Sequence, residues 1–364
     1  MIRYYYFLLL LGLLLFSCGK TKQKDLLEIP VDFNQNSPVF LSEIAENVTS
    51  IKFELTDESI INPERIKRIV ISEKYIFVGC IDKILLFNKH GKFIRCIGSK
   101  GQGPGEYRYI RNLVIDETNE RLFVSAWHKI ICYDFQGILL NETHLIQETE
   151  SIVDVNYINN ELLIIGYQMG REDANGLFNH SAIYRLNNEF QIVDSCTIFK
   201  IYGNPAFSST DSEDFILYSD STVYLYYPYF SKRLSKGILR DTLYRFENNQ
   251  LVPELKLKFK NDGIDGEGNL FIGLRHVYRS SRYIFAWYLN YKDDYIYFFC
   301  YDTKTEKGYN MKAGFGDYFH EFEYPIRIRT FNTNTELFYY LHTHMNPGDL
   351  EEPNPTLYIG KLKK

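Results

Sequence analysis

Six times between residues 68 and 341 the chain repeats one pattern: an apolar run, a tight polar turn and a second apolar run. The six copies are Arg68–Gly79, Asn112–Ser125, Val153–Gly166, Asp214–Tyr226, His276–Trp287 and Phe331–Leu341. A third short apolar segment follows each pair, as at Lys83–Phe87, Lys129–Tyr133, Ala182–Leu186, Asp241–Phe246, Tyr295–Phe299 and Thr356–Gly360, often with a turn and a fourth after it. Short strands in fours, restarting every 41 to 62 residues, are the mark of a radially repeated sheet. The expected fold is therefore all-β: a six-bladed β-propeller with four-stranded antiparallel blades. The last unit runs out of chain at Lys361–Lys364, while a strand at Val48–Leu55 has no unit of its own. Joining strand 48–55 to the C-terminal blade closes the ring and removes two open sheet edges.

Composition agrees with sheet. Aromatic residues make up 16% of the 364, with 30 Tyr and 27 Phe against 4 Met. The formal net charge of −5, without a basic stripe, argues against nucleic acid as a main partner.

The first residues carry Arg3 and then an apolar run too short to span a bilayer, ending in Leu15-Phe16-Ser17-Cys18. This reads as a lipoprotein signal peptide over 1–17, a lipid anchor at Cys18, a tether over 18–45 and the propeller over 46–364. The membrane would then be met only through that anchor, and Lys20 favours the outer membrane, on its periplasmic face or the cell surface. Five further cysteines (Cys80, Cys96, Cys132, Cys196, Cys300) have no paired spacing and lie in apolar runs, so buried free thiols are expected.

Strand alternation sorts the connections between two faces. First-to-second and most third-to-fourth turns are minimal, as at Asn159-Asn160, Asn88-Lys-His-Gly91 and Asp134-Phe-Gln-Gly137. The other connections share the opposite face and include long ones: 167–180, 202–213, 228–240, 260–275 and 343–355. Long loops gathered on one rim suggest a binding surface over the central channel.

The stretch Gly91-Lys-Phe…Ile97-Gly98 to Gly101-Gln-Gly-Pro-Gly-Glu-Tyr107, with Asp241-Thr-Leu-Tyr244 and Asn354-Pro-Thr-Leu-Tyr358, resembles six-bladed β-propeller lipoproteins of Bacteroides-type bacteria, themselves similar to NHL-repeat propellers. The resemblance implies a fold and an envelope location, and carries no catalytic residues. The glycine-rich loop could cradle a phosphate, but no helix follows it, so a turn that latches neighbouring blades through Glu106 and Tyr107 is the stronger reading.

Candidate binding residues on the long-loop face are Tyr107, Arg108, Arg111, Trp127, His128, Tyr167, Arg171, Tyr227, Arg275, His276, Trp287, His342 and His344, a mix of ring faces and cations suited to a sugar, peptide or anionic ligand. His342 and His344, two apart on a strand, could share one metal. No cofactor is expected, and no hydrolase motif appears. The sequence thus points to a monomeric, lipid-anchored envelope propeller that holds a ligand or partner protein, glycan or peptide. The alternative is a glycan- or lactone-directed hydrolase or lyase using a metal or histidine site in the channel.

Overall fold

A computed structural model describes residues 26–145, 148–203, 207–208, 215–219, 221–227, 230–231, 241–317, 319, 325–331, 334–344 and 352–364. The signal peptide, Cys18, most of loops 202–213 and 228–240 and part of loop 343–355 lie outside the described residues.

Six antiparallel blades stand in a ring. Blade one runs Ile66–Ile71, Tyr75–Cys80, Ile84–Asn88 and Phe93–Ile97; blade two runs Asn112–Asp116, Arg121–Ala126, Lys129–Asp134 and Leu139–His144. Blade three is taller: Ser151–Ile158, Glu161–Asp173, Gly176–Leu186 and Ile192–Tyr202. Blade four contains Ile216–Ser219, Thr222–Leu225, Thr242–Glu247 and Gln250–Phe259; blade five contains Ile272–Arg279, Tyr283–Asn290, Tyr295–Asp302 and Lys307–Lys312. Blade six is completed from the other end of the chain: Arg329–Phe331, Asn334–His342 and Thr356–Leu362 are joined by Ala45–Lys52, with Val48 opposite Gly360 and Lys52 opposite Thr356. The ring therefore closes as expected, three residues earlier at each end than the sequence suggested.

Each blade presents apolar side chains on both faces, so the core lies in the seams between blades rather than inside any one. Leu86, Ile97, Tyr107, Ile110, Leu122 and Ile131 fill the seam between blades one and two, for example. The turns are chemically repetitive. Asn88, Asp134 and Asn187 each turn a side-chain Oδ1 onto the amides two and four residues ahead, at 2.8–3.1 Å. Asn159-Asn160 and Asn248-Asn249 take the paired positive φ values that two-residue hairpins require.

Three expectations change. The stretch 167–180 is not a loop: the two middle strands of blade three run on to Asp173 and resume at Gly176, with Arg171 opposite Phe178. Residues 27–44 of the expected tether are docked: Leu27–Val31 pairs in parallel with Leu255–Phe259 as a fifth strand of blade four, burying Ile29 and Val31. The chain then runs along blade five, where the Ser37 amide meets the Asn310 carbonyl at 2.7 Å, and turns through Leu41–Ile44 into the closing strand. Among the thiols, Cys80, Cys132 and Cys300 are buried, but Cys96 is exposed and Cys196 half-buried, because both sit on outer strands. No helix among the described residues is long and apolar enough to cross a membrane.

Candidate functional site

The glycine-rich crossover is built as a latch. Ser99–Lys100 and Glu106–Tyr107 form a short parallel pair, and the Glu106 carboxylate turns back to accept from the Gly103 amide at 2.8 Å. A Cβ on Gly101 would fall 2.0 Å from that carboxylate, so the loop is already filled by its own anion and is closed to a phosphate. Blade two grips it from outside. Glu142 accepts from the Gly105 amide at 2.7 Å, and Lys129 donates to the Gly103 carbonyl at 3.0 Å while pairing with Glu142 at 2.7 Å. Lys129 and the Gly105 amide hold the Glu142 carboxyl below its usual range, against the opposing effect of partial burial. Tyr107 is only 2% exposed and donates to the Ile97 carbonyl at 2.7 Å, so its side chain belongs to the seam and not to an open surface.

Where the inner strands begin, another repeat appears that the sequence reading missed. Ile66-Lys67-Arg68-Ile69, Ile110-Arg111-Asn112-Leu113, Ile152-Val153-Asp154-Val155, Leu274-Arg275-His276-Val277 and Ile328-Arg329-Thr330-Phe331 align as apolar, variable, polar, apolar. The ladder skips one residue at this position in blades one, three and five. Such a bulge re-aims two successive side chains. Aligning the units on this quartet would have singled out Lys67 and Arg329.

In blades one, two and three the polar member of the quartet enters a buried chain of contacts. Arg68, 1% exposed, donates through Nε to Asn112 Oδ1 at 2.7 Å, and its guanidinium lies 3.7 Å from Asp154 Oδ1. The Asn112 side-chain amide also donates to Asp154. The other Asp154 oxygen accepts the amides of Phe215 and Ile216, each at 2.8 Å. Burial pushes the Asp154 carboxyl up, opposed by Arg68 and by the N–H donors around it. Four blades are thus tied at the channel wall by one carboxylate.

The second residue of the quartet supplies charge at the channel mouth on the loop-rich face. Lys67 Nζ and Arg111 Cζ each sit 5.4 Å from the ring centre of Tyr109. Arg111 also lies close enough to Tyr227 to favour its ionised form, although full burial holds that phenol well above its ordinary value. Lys67 and Arg329 line a narrow cavity of about 20 Å³ with His276, Trp287, Tyr339 and Phe315, between blades five and six. Arg275 turns away, donating to the Tyr291 hydroxyl at 3.0 Å.

The remaining candidates divide between surface and seam. Arg108 and Trp127 are exposed, the latter by 53% and with a left-handed φ of 63°. His128 faces His144, with ring centres 5.6 Å apart, and burial, His144 and Lys129 together lower its pKa. Tyr167 and Tyr227 are buried with Phe199 in the seam between blades three and four, and Arg171 lies 3.7 Å from Glu150. The rings of His342 and His344 are 4.5 Å apart, and His344 Nε2 is 2.7 Å from the Tyr358 hydroxyl. His276 sits in the channel wall at 4% exposure, in another blade from that pair. Among the described residues no group of three or more His, Cys, Asp or Glu side chains is arranged to hold a metal.

A solved structure carries the same architecture. A Bacteroides fragilis protein, whose description gives export as an inference, superposes with a TM-score of 0.64 at 17% identity, covering 93% of this chain and 100% of its own. The WD40 domain of Neurospora crassa Pan2 gives 0.43 at 10% identity, over 82% of this chain and 76% of that one. A protein of unknown function from Bacteroides caccae gives 0.39 at 10%, over 68% and 81%. No curated protein matches the chain. The model of a domain of unknown function, DUF4934, matches residues 26–357, and the chain belongs to that family.

Proposed function

We propose that this chain is a lipid-anchored envelope propeller that binds a ligand or partner protein through its loop-rich face. The observation that carries the reading is the asymmetry of the ring. One face is closed by minimal Asx and asparagine hairpins, while the other gathers Lys67, Arg111, Arg329, Tyr109 and the exposed Trp127 around the channel mouth. Pockets at propeller mouths are pre-formed and rigid, which favours recognition over a surface of mobile loops. An extracytoplasmic location is supported by the export signal and by the likeness to the Bacteroides fragilis protein.

The test is capture from envelope extracts with the mature chain. Alanine at Trp127, His128 and His342 together should reduce capture, while alanine at Lys74 and Glu120, paired on the turn face at 2.9 Å, should leave it unchanged. The reverse pattern would move the binding face. Anchoring is read separately: Cys18→Ala should abolish lipid labelling, and persistent labelling would reject that cysteine as the anchor.

A further inference from the structure

We infer that the propeller meets the bilayer with its hairpin face and turns its loop-rich face away, so that whatever binds there arrives from the aqueous compartment. This rests on anchoring at Cys18 and on the loop-rich face being the binding face. The docked N-terminal strand sets the direction. The outer strand Gln250–Phe259 of blade four leaves the Asn248-Asn249 hairpin and ends at the loop-rich side, where Lys260 opens the next connection. Leu27–Val31 runs parallel to it, with Leu27 level with Leu255 and Val31 level with Phe259. The chain therefore enters its docked strand from the hairpin side. Cys18 stands nine residues before Leu27. A stretch of that length reaches at most about 30 Å, and the hairpin end of the strand at Gln250 is about 17 Å from the level of Leu255. The hairpin face is thus held within roughly 13 Å of the lipid.

The opposite orientation fails on length. A chain reversal spends about four of the nine residues, and regaining the level of Phe259 spends about 13 Å more, which leaves roughly 4 Å above the rim. Blade three stands in the way. Its second strand, Glu161–Asp173, has 13 residues against 6 in blade two and 8 in blade five, and the excess lies at the loop-rich end. That neighbour of blade four rises about 17 Å above the others, so a bilayer cannot close on the loop-rich face within the reach of the anchor.

The experiment uses the full lipidated chain in phospholipid vesicles that carry an acceptor dye on their outer headgroups. With Cys96 and Cys196 changed to serine, a donor dye is placed by Glu189→Cys on the hairpin face or by Ala174→Cys at the tip of blade three. Both positions are exposed, and the two ends of that blade are about 40 Å apart. We expect energy transfer from position 189 to be at least twice that from position 174. Ile29→Asp, which frees the docked strand and lengthens the tether, should bring the two values together. Equal transfer in the parent chain would mean that the ring lies on its side, and stronger transfer from position 174 would mean that the loop-rich face meets the lipid; either overturns the orientation. A difference that persists in Ile29→Asp, with the strand shown free by proteolysis, overturns the strand as its cause. If the chain does not float with the vesicles, anchoring is rejected and the orientation falls with it. If the orientation holds while the alanine variants of the loop-rich face leave capture unchanged, only the binding-face reading falls.

Discussion

Arg68 of blade one and Asn112 of blade two meet at 2.7 Å, Nε to Oδ1, with both side chains buried at the channel wall. The same asparagine hands on to Asp154 in blade three, which in turn accepts two amides of blade four. Half of a ring whose seams are filled mainly by apolar side chains is therefore held in angular register by one polar chain.

Replacing Asp154 with alanine strips the buried guanidinium of Arg68 of this carboxylate and leaves the Phe215 and Ile216 amides without their acceptor. Loss of one partner from a buried ion pair costs about 3 kcal/mol or more. The denaturant midpoint should fall accordingly. An unchanged midpoint would show that the network contributes nothing to stability.

Two glycines separate backbone from packing. Gly98 and Gly170 both have φ of +63°, but a Cβ on Gly98 would lie 2.5 Å from the Tyr133 hydroxyl, and one on Gly170 would meet nothing within 4 Å. Gly170→Ala should cost about 1 kcal/mol from the left-handed backbone alone. Gly98→Ala should cost roughly 1–3 kcal/mol beyond that from overpacking. Equal melting shifts for the two would refute the latch at the first seam.

Asp302 and Arg282 form a two-pronged pair at 2.9 and 2.7 Å, and the same arginine reaches the Lys364 carbonyl at 3.2 Å. Hydrogen bonding from Arg282 lowers the Asp302 pKa to about 2. The folded value is thus below the unfolded one of about 3.9, so the stabilisation is fully present above about pH 4 and is lost as pH falls through about 2. Partial exposure limits it to about 1 kcal/mol. Arg282→Ala should lower stability at pH 7 and flatten the acid limb between pH 4 and 2, as read by circular dichroism; an acid limb identical to that of the parent chain would contradict the assignment.

Ile29 is 1% exposed beneath the added strand of blade four. Ile29→Ala should destabilise by about 2 kcal/mol or more and open the segment around residues 26–33 to proteases. Proteolysis at the same rate as the parent chain would mean the strand is not held.

The fold was legible because a propeller writes its period into the chain. The six strand pairs, the asparagine turns and the ring closure follow from apolar alternation and hairpin chemistry that act within a dozen residues. The taller part of blade three was not legible. Residues 168–178 are exposed or half-buried with polar groups on both sides, so no apolar alternation distinguishes strand from loop there. Leu27-Glu-Ile-Pro-Val31 does alternate, but Pro30 and the polar residues after it disguised a strand that pairs along one edge only, where proline is tolerated. At the channel mouth, Arg111 was visible as a loop-side cation. Lys67 and Tyr109 were not, because their convergence depends on how two neighbouring blades meet at one ring.

The order in which the first segments attach also has a mechanical meaning. A pull entering through the N-terminal side of the chain reaches Leu27–Val31 on blade four before it reaches Ala45–Lys52, which holds the circle shut. The first strand is thus a strain relief. It can peel from an outer edge, and the contacts of residues 35–41 with blade five and with Gly316 must then break in turn before load reaches the closing strand and the channel mouth.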